Sequence, residues 1–440
     1  MTPDAAPHAP RLLPALPVPG LPEPDDSQAV VLEHVRAGGN LVVLGAPGTG
    51  KTSLALRLLV RAVDEGRDAV LLTPTRVRAS VLRGRAAHLL RARGVQGGTV
   101  RVRTPAALAL SVLTTSLTQR PAPLPAPVLL AGAEEDAALA ALIVPEQWPG
   151  LPASAVASRA FRTELRNLLA RAGELGLSAD DLAELGRVLS VPVWGPASAL
   201  LRIWDAQGRP SAERRSQTRR MDAARLQDRA VEALGSWEAD RVAERRPVPD
   251  LVVVDDYQDC TAATARLLAA LAMPDADGHR AQAVVLGDPD VAVETFRGGA
   301  PSLLVEAEDR SGLNASRLLL RTAHRGTRAL DAVWWDQAGR LPVTGSAAHR
   351  RPVRPAPSRG AADAGSSRPG PSRSATASDG QWGESARVGP CTSPDTSPCP
   401  RTTRAGCWPA PAWATSSPST TSAPRRPWCP STSTRSAAPS

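Results

Sequence analysis

The chain has 440 residues, enough for about two or three domains, and carries 52 Lys plus Arg against 43 Asp plus Glu, a formal net charge of +9. Residues 351–440 hold 11 Arg and only four acids (Asp363, Asp379, Glu384 and Asp395), so +7 of that charge lies there, and bulk charge is no argument for nucleic-acid binding. No apolar run reaches 18 residues and prolines interrupt the N-terminus, while the five cysteines show no C-x-x-C pair and no His at zinc spacing; a membrane span, a signal peptide, a zinc cluster and a disulfide framework are excluded, and a soluble, cytoplasmic protein is expected.

Residues 1–24 form a Pro-rich leader. Asp25-Asp26-Ser27-Gln28 reads as a helix start, with an amphipathic helix over 29–35. Gln28 carries an amide that both donates and accepts, as an adenine edge requires, although an ordinary helix-surface Gln would look the same. Residues 41–44 are an apolar run of the kind that makes a buried parallel strand. Then come Gly45, Ala46, Pro47, Gly48, Thr49, Gly50, Lys51 and Thr52, followed by a helix over 53–62 that starts at Ser53. Strand, G-x-x-x-x-G-K-[ST] and helix together predict a phosphate-binding loop. Glycines let backbone N–H groups approach phosphate oxygens, and the helix N-terminus adds partial positive charge. Lys51, the only lysine in the chain, reaches the β- and γ-phosphates of ATP, and the Thr52 hydroxyl ligates Mg²⁺.

Strands are expected over 68–72 and 99–102, with helices over 81–91 and 106–113, an alternation that means a parallel α/β sheet. A Pro-rich linker over 118–127 leads to a helical region over 134–245. Arg209, Arg214, Arg215, Arg219 and Arg220 form its basic cluster, which suits a solvated surface or contact with a phosphate backbone equally. The sheet pattern returns at 251–254, an apolar run ending in Asp255-Asp256-Tyr257-Gln258-Asp259. Carboxylates at the carboxyl end of a parallel strand lie where α/β ligands bind. Asp255 is therefore the expected second anchor for Mg²⁺, opposite Thr52, and Asp256 the group that orients the attacking water. Further strands are expected over 283–286 and 317–320, the last followed by a helix through Trp334.

Taken in order, these stretches resemble the ATPase core of the UvrD/Rep-like superfamily 1 DNA helicases, and most of all the actinobacterial AdnA/AdnB-type helicase–nuclease subunits. The resemblance covers about residues 25–345 and implies a RecA-like P-loop NTPase sheet (25–117 and 246–345) with an inserted all-helical subdomain (118–245). It puts Gln28 where the family contacts adenine. Thr73, Thr75 and Arg76, and then Thr104, stand where the family touches single-stranded DNA, and Phe296 where an aromatic stacks on a base. Gln258 would sense the γ-phosphate; His324 and Arg325 stand where a ring lies on adenine and an arginine meets that phosphate. The function implied is an ATP-dependent DNA helicase that hydrolyses ATP, moves 3′ to 5′ on single-stranded DNA and serves repair or recombination, with a possible nuclease-bearing partner subunit. Three departures fall on coupling to DNA: Asp256 in place of Glu, Val291 in place of Gln, and Pro105-Ala106 in place of an aromatic–His pair. They favour, as the alternative, a non-motor ATP-binding subunit; a P-loop kinase is a weaker reading, opposed by the acidic box.

Residues 346–440 are expected to be a disordered, low-complexity tail. The stretch 351–440 lacks Leu, Ile, Phe, Met and Tyr and cannot bury enough apolar surface to offset ordering its backbone, which costs about 1–2 kcal/mol per residue. The family's second motor lobe is not recognisable there. Four Trp and four Cys scattered through simple sequence suggest that the reading frame is lost after about residue 345, the rival reading being a genuine low-complexity extension.

Overall fold

The computed structural model describes residues 20–95, 100–130, 132–148, 150–208, 218–310 and 312–354. The leader up to residue 19, Arg209, Arg214 and Arg215 of the basic cluster, and the tail from residue 355 lie outside them.

The chain opens with α1 (Asp26–Ala37), capped by the Asp25 carboxylate, which accepts from the Gln28 N–H. It continues through β1 (Leu41–Leu44), α2 (Lys51–Asp64), β2 (Ala69–Leu72), α3 (Arg76–Ala92), β3 (Val102–Arg103) and α4 (Pro105–Thr118). A short β4 (Val128–Leu129) precedes the helices α5 (Ala133–Ala140), α6 (Ala153–Val156), α7 (Arg159–Leu175), α8 (Ala179–Val188) and α9 (Trp194–Gly208). After β5 (Arg220–Met221) come α10 (Ala223–Gly235), β6 (Leu251–Val254), α11 (Ala262–Ala272), β7 (Gln282–Gly287), α12 (Leu303–Glu306), β8 (Ser316–Leu319) and α13 (Arg328–Arg340).

The six long-range strands form one parallel sheet in the order β3-β2-β6-β7-β1-β8. Strand alternation sends neighbouring residues to opposite faces. Leu41 and Val43 pack with Leu54, Leu58 and Leu82 on one side, while Val42 and Leu44 pack with Leu108, Leu226 and Leu267 on the other. Helices cover both faces, so the strands read as unbroken apolar runs rather than alternating ones.

The helical region has a core of its own, built on Leu165, Leu169, Leu182, Leu201 and Trp204, with Trp148 edge-on to Phe161 at 4.8 Å between ring centroids. That core runs from Leu130 to Trp204. Helix α10, which the sequence pattern gives to the insert, instead places Leu226, Ala230 and Leu234 against the sheet. The expected insert boundary at 245 therefore moves back, because the apolar face of α10 joins the core beneath the sheet, packed chiefly on α4 and α11 and less on the insert helix α7.

The tail boundary also moves. Residues 346–354, expected to begin the tail, are held against the ATPase core. Val353 bridges Thr322 in parallel and takes the Ala323 N–H on its carbonyl at 2.9 Å. His349 and Arg350 are buried, with Arg350 bidentate on Asp290 at 2.8 Å for each bond. Composition hides such a strap because its hold is polar rather than apolar.

Candidate nucleotide site

The strand ends of β1, β6 and β7 open onto a cavity of about 870 Å³, lined on one side by Pro47 to Ser53 and on the other by Arg78, Asp256, Val291, His324 and Arg325. The loop geometry follows from its sequence. Gly48 and Gly50 both sit at φ +87°, a conformation costly for any residue with a Cβ. A Cβ on Gly50 would also stand 2.5 Å from the Gln28 amide nitrogen. α2 begins at Lys51 with no side chain capping it, whereas α1, α3, α4 and α7 each have one. Its first N–H groups are thus left for an anion, as a phosphate-binding helix start requires.

Lys51 is nearly buried. Its ammonium donates to the carbonyls of Gly45 and Ala46 and lies 3.9 Å from the fully buried Asp288. Burial lowers its pKa, an effect opposed by Asp288, Asp255 and Asp256. Gln28 is buried, and its amide donates to the Thr49 carbonyl at 3.1 Å, so its structural task here is to brace the loop. The His324 N–H donates to the Gly48 carbonyl at 3.0 Å, and its ring pairs with Asp25 at 2.7 Å. This closes the wall beside the loop and brings Arg325 against Gly48.

The expected metal ligands converge on a residue that sequence reasoning missed. One guanidinium nitrogen of Arg78 donates to the Thr52 hydroxyl at 3.1 Å and to Asp255 at 3.0 Å, and lies 2.7 Å from Asp256. Burial alone would lower the pKa of Arg78, but Asp255 and Asp256 carry it above the usual value. The other oxygen of Asp255 is buried without a hydrogen-bond partner among the described residues. Two carboxylates and a hydroxyl gathered on a cation, with one carboxylate oxygen still unpartnered, fit a hard divalent ion such as Mg²⁺. The available signal was position: Arg78 lies one helical turn after the Thr75 cap, at the end of the strand that pairs with β6.

Asp256 is left-handed, at φ +56°. Burial first, then Asp255, push its carboxyl up to about 6, against the pull of Arg78. Gln258 is buried away from the cavity lining and accepts from the Asp288 N–H at 3.1 Å. It joins the acidic box to the end of β7.

The expected DNA contacts divide. Phe296 is 71% exposed, with Arg297 over its ring, and Arg76 is exposed. Thr75 and Thr104 are spent capping α3 and α4. Thr73 is fully buried at the end of β2, so its side chain presents nothing to a strand of DNA.

A parallel sheet with this loop at the end of β1 and an acidic strand end two positions along defines a P-loop nucleotide-binding domain. The family model described as UvrD/REP helicase N-terminal domain matches residues 25–311. The chain belongs to that family, and this domain is an ATP-dependent helicase-type ATP-binding domain. No curated protein matches the chain. Among solved structures, VirB4 of Thermoanaerobacter pseudethanolicus is similar at 15% identity over 67% of this chain and 79% of that one, with a TM-score of 0.23, too slight to bear on the argument. Among the described residues, no helix is long and apolar enough to cross a membrane.

Proposed function

We propose that this chain hydrolyses ATP with Mg²⁺ as the motor lobe of a helicase acting on single-stranded DNA. The observation that carries the reading is the convergence of Lys51, Thr52, Asp255, Asp256 and Arg325 about one cavity at the strand ends. Lys51 and the N–H groups opening α2 hold the β- and γ-phosphates. Thr52 and Asp255 would hold Mg²⁺, which when bound neutralises charge on the phosphates. Arg78, which now holds both residues, would give them up to the ion. Asp256 orients the attacking water, and its shorter side chain relative to Glu slows that step. Arg325 stabilises charge on the γ-phosphate. Exposed Phe296 and Arg76 offer a stacking face and a cation to the strand.

By resemblance, translocation runs 3′ to 5′, the setting is repair or recombination, and the kin are AdnA/AdnB-type subunits with a nuclease-bearing partner. By resemblance, strand separation needs a second motor lobe working with this one. Any loss of reading frame falls after Arg354, since residues up to it are specifically bonded. A Leu-rich, motif-bearing translation in another frame beyond that codon is the expected result; its absence sinks the frame-loss reading.

The alternative is a non-motor ATP-binding subunit. It is favoured by Val291, which lines the cavity where the family has an amide. Steady-state hydrolysis with and without single-stranded oligonucleotide decides between them. Stimulation supports the motor lobe, and ATP binding with DNA-indifferent turnover supports the alternative.

A further inference from the structure

Away from the nucleotide cavity, Arg219 is a charged side chain buried without compensation among the described residues. Arg219 is only 4% exposed, yet none of its three guanidinium nitrogens has a hydrogen-bond partner among the described residues. Its backbone is fixed, because its carbonyl accepts from the Val128 N–H at 2.8 Å as β4 and β5 pair. The side chain therefore stays within a cavity of about 230 Å³ between the end of α4, α10 and the turn after it.

The other charges around this cavity are spoken for. Arg120 donates to Asp240 at 2.8 Å and to the Ser116 hydroxyl at 3.1 Å. Arg229 is paired with Glu232. With both acids taken, the charge left over is that of Arg219, and the charge that bears on it is Arg120, of the same sign. A buried, unpaired charge is among the most costly arrangements a fold can hold. A planar fork of free donors beside a second guanidinium is the arrangement that recognises phosphate oxygens.

The geometry points to a phosphate-binding site in this cavity, with Arg219 as its donor and the ion-paired Arg120 and Arg229 beside it, leaving one net positive charge for the anion. It is separate from the nucleotide site. α4 starts beside the strand ends at Thr104 and its 14 residues span about 20 Å at 1.5 Å per residue, carrying Leu117 and Arg120 to the far end. The cavity has room for one phosphate group, either free inorganic phosphate or a phosphate of a nucleic-acid backbone.

The test uses the full chain with saturating Mg·ADP, so that the P-loop takes no phosphate. Inorganic phosphate is titrated calorimetrically at constant ionic strength, against chloride. A 12-nucleotide single strand without terminal phosphate is titrated in parallel. Arg219→Met is expected to weaken at least one of the two by tenfold or more. Loss confined to inorganic phosphate identifies a free-phosphate site, and loss of oligonucleotide binding identifies a backbone contact. In phosphate-free buffer the same variant is expected to melt no lower than wild type, since it removes a charge with no partner. Equal binding of both ligands by the two proteins overturns the proposal. So does a variant that melts lower or fails to fold without phosphate, because Arg219 would then have a partner within the chain.

Discussion

Two cavities in this molecule each hold an arginine, one half-buried and one buried, and the two are opposites. In the nucleotide cavity, Arg78 is shared among Thr52, Asp255 and Asp256. In the cavity beneath α4 and α10, Arg219 has no partner among the described residues. A compensated cation must be displaced before another cation can enter, whereas an uncompensated one gains by any anion that arrives. The same charge thus makes a guarded site in one place and a receptive one in the other, and what decides is the company of carboxylates.

The comparison breaks first at Lys51, the cation at the centre of the guarded site. Lys51→Ala is expected to lower the rate of ATP hydrolysis at least about 100-fold, about 3 kcal/mol of transition-state stabilisation, measured as single-turnover release of phosphate. A smaller loss would mean that phosphate charge is handled elsewhere.

Glu174 carries the argument over to a buried acid. Burial pushes its carboxyl up to about 7, against the opposing pull of Thr261 and the Ala263 N–H. The folded state therefore holds that proton more tightly than the unfolded chain, whose value is near 4.5. Its contribution is fully present below pH 4.5 and is lost as pH rises through 7, up to about 3 kcal/mol in all. Glu174→Gln should remove this slope from denaturant midpoints measured between pH 4.5 and 8; an unchanged slope would show that the acid is compensated after all.

Arg350 tests compensation at the strap. Its removal leaves the buried Asp290 side chain with His349 alone, so Arg350→Ala should cost about 2–3 kcal/mol of stability by urea unfolding. A loss below about 0.5 kcal/mol would mark the strap as merely resting on the surface.

The smallest effect sharpens the comparison most. Arg78→Ala should raise the affinity of the nucleotide-free protein for Mn²⁺ about tenfold, near 1.4 kcal/mol, as read by electron paramagnetic resonance. Unchanged affinity would mean that Arg78 does not compete for the cation position.

What could be read from the sequence follows contiguity. The phosphate loop was legible because strand, glycines, Lys51 and helix lie within about 25 neighbouring residues, and local rules cover all of them. Asp255 was legible for the same reason, as an acid closing an apolar run. Arg78 was not, because its partner Asp255 stands 177 residues away and the two meet only through the pairing of β2 with β6. The burial of Thr73 was not legible, because helices cover both faces of the sheet and bury the end of β2 on both sides, which the local motif does not say. The strap over 346–354 was invisible to composition, since two polar residues on buried aspartates hold it.

The most direct measurement is ATP hydrolysis by the purified full chain, wild type against Lys51→Ala, in Mg²⁺ with and without single-stranded DNA. The expected result is slow turnover that DNA accelerates and that the substitution abolishes. Turnover that survives the loss of Lys51, or wild-type protein that neither binds nor hydrolyses ATP, would contradict the assignment of this cavity.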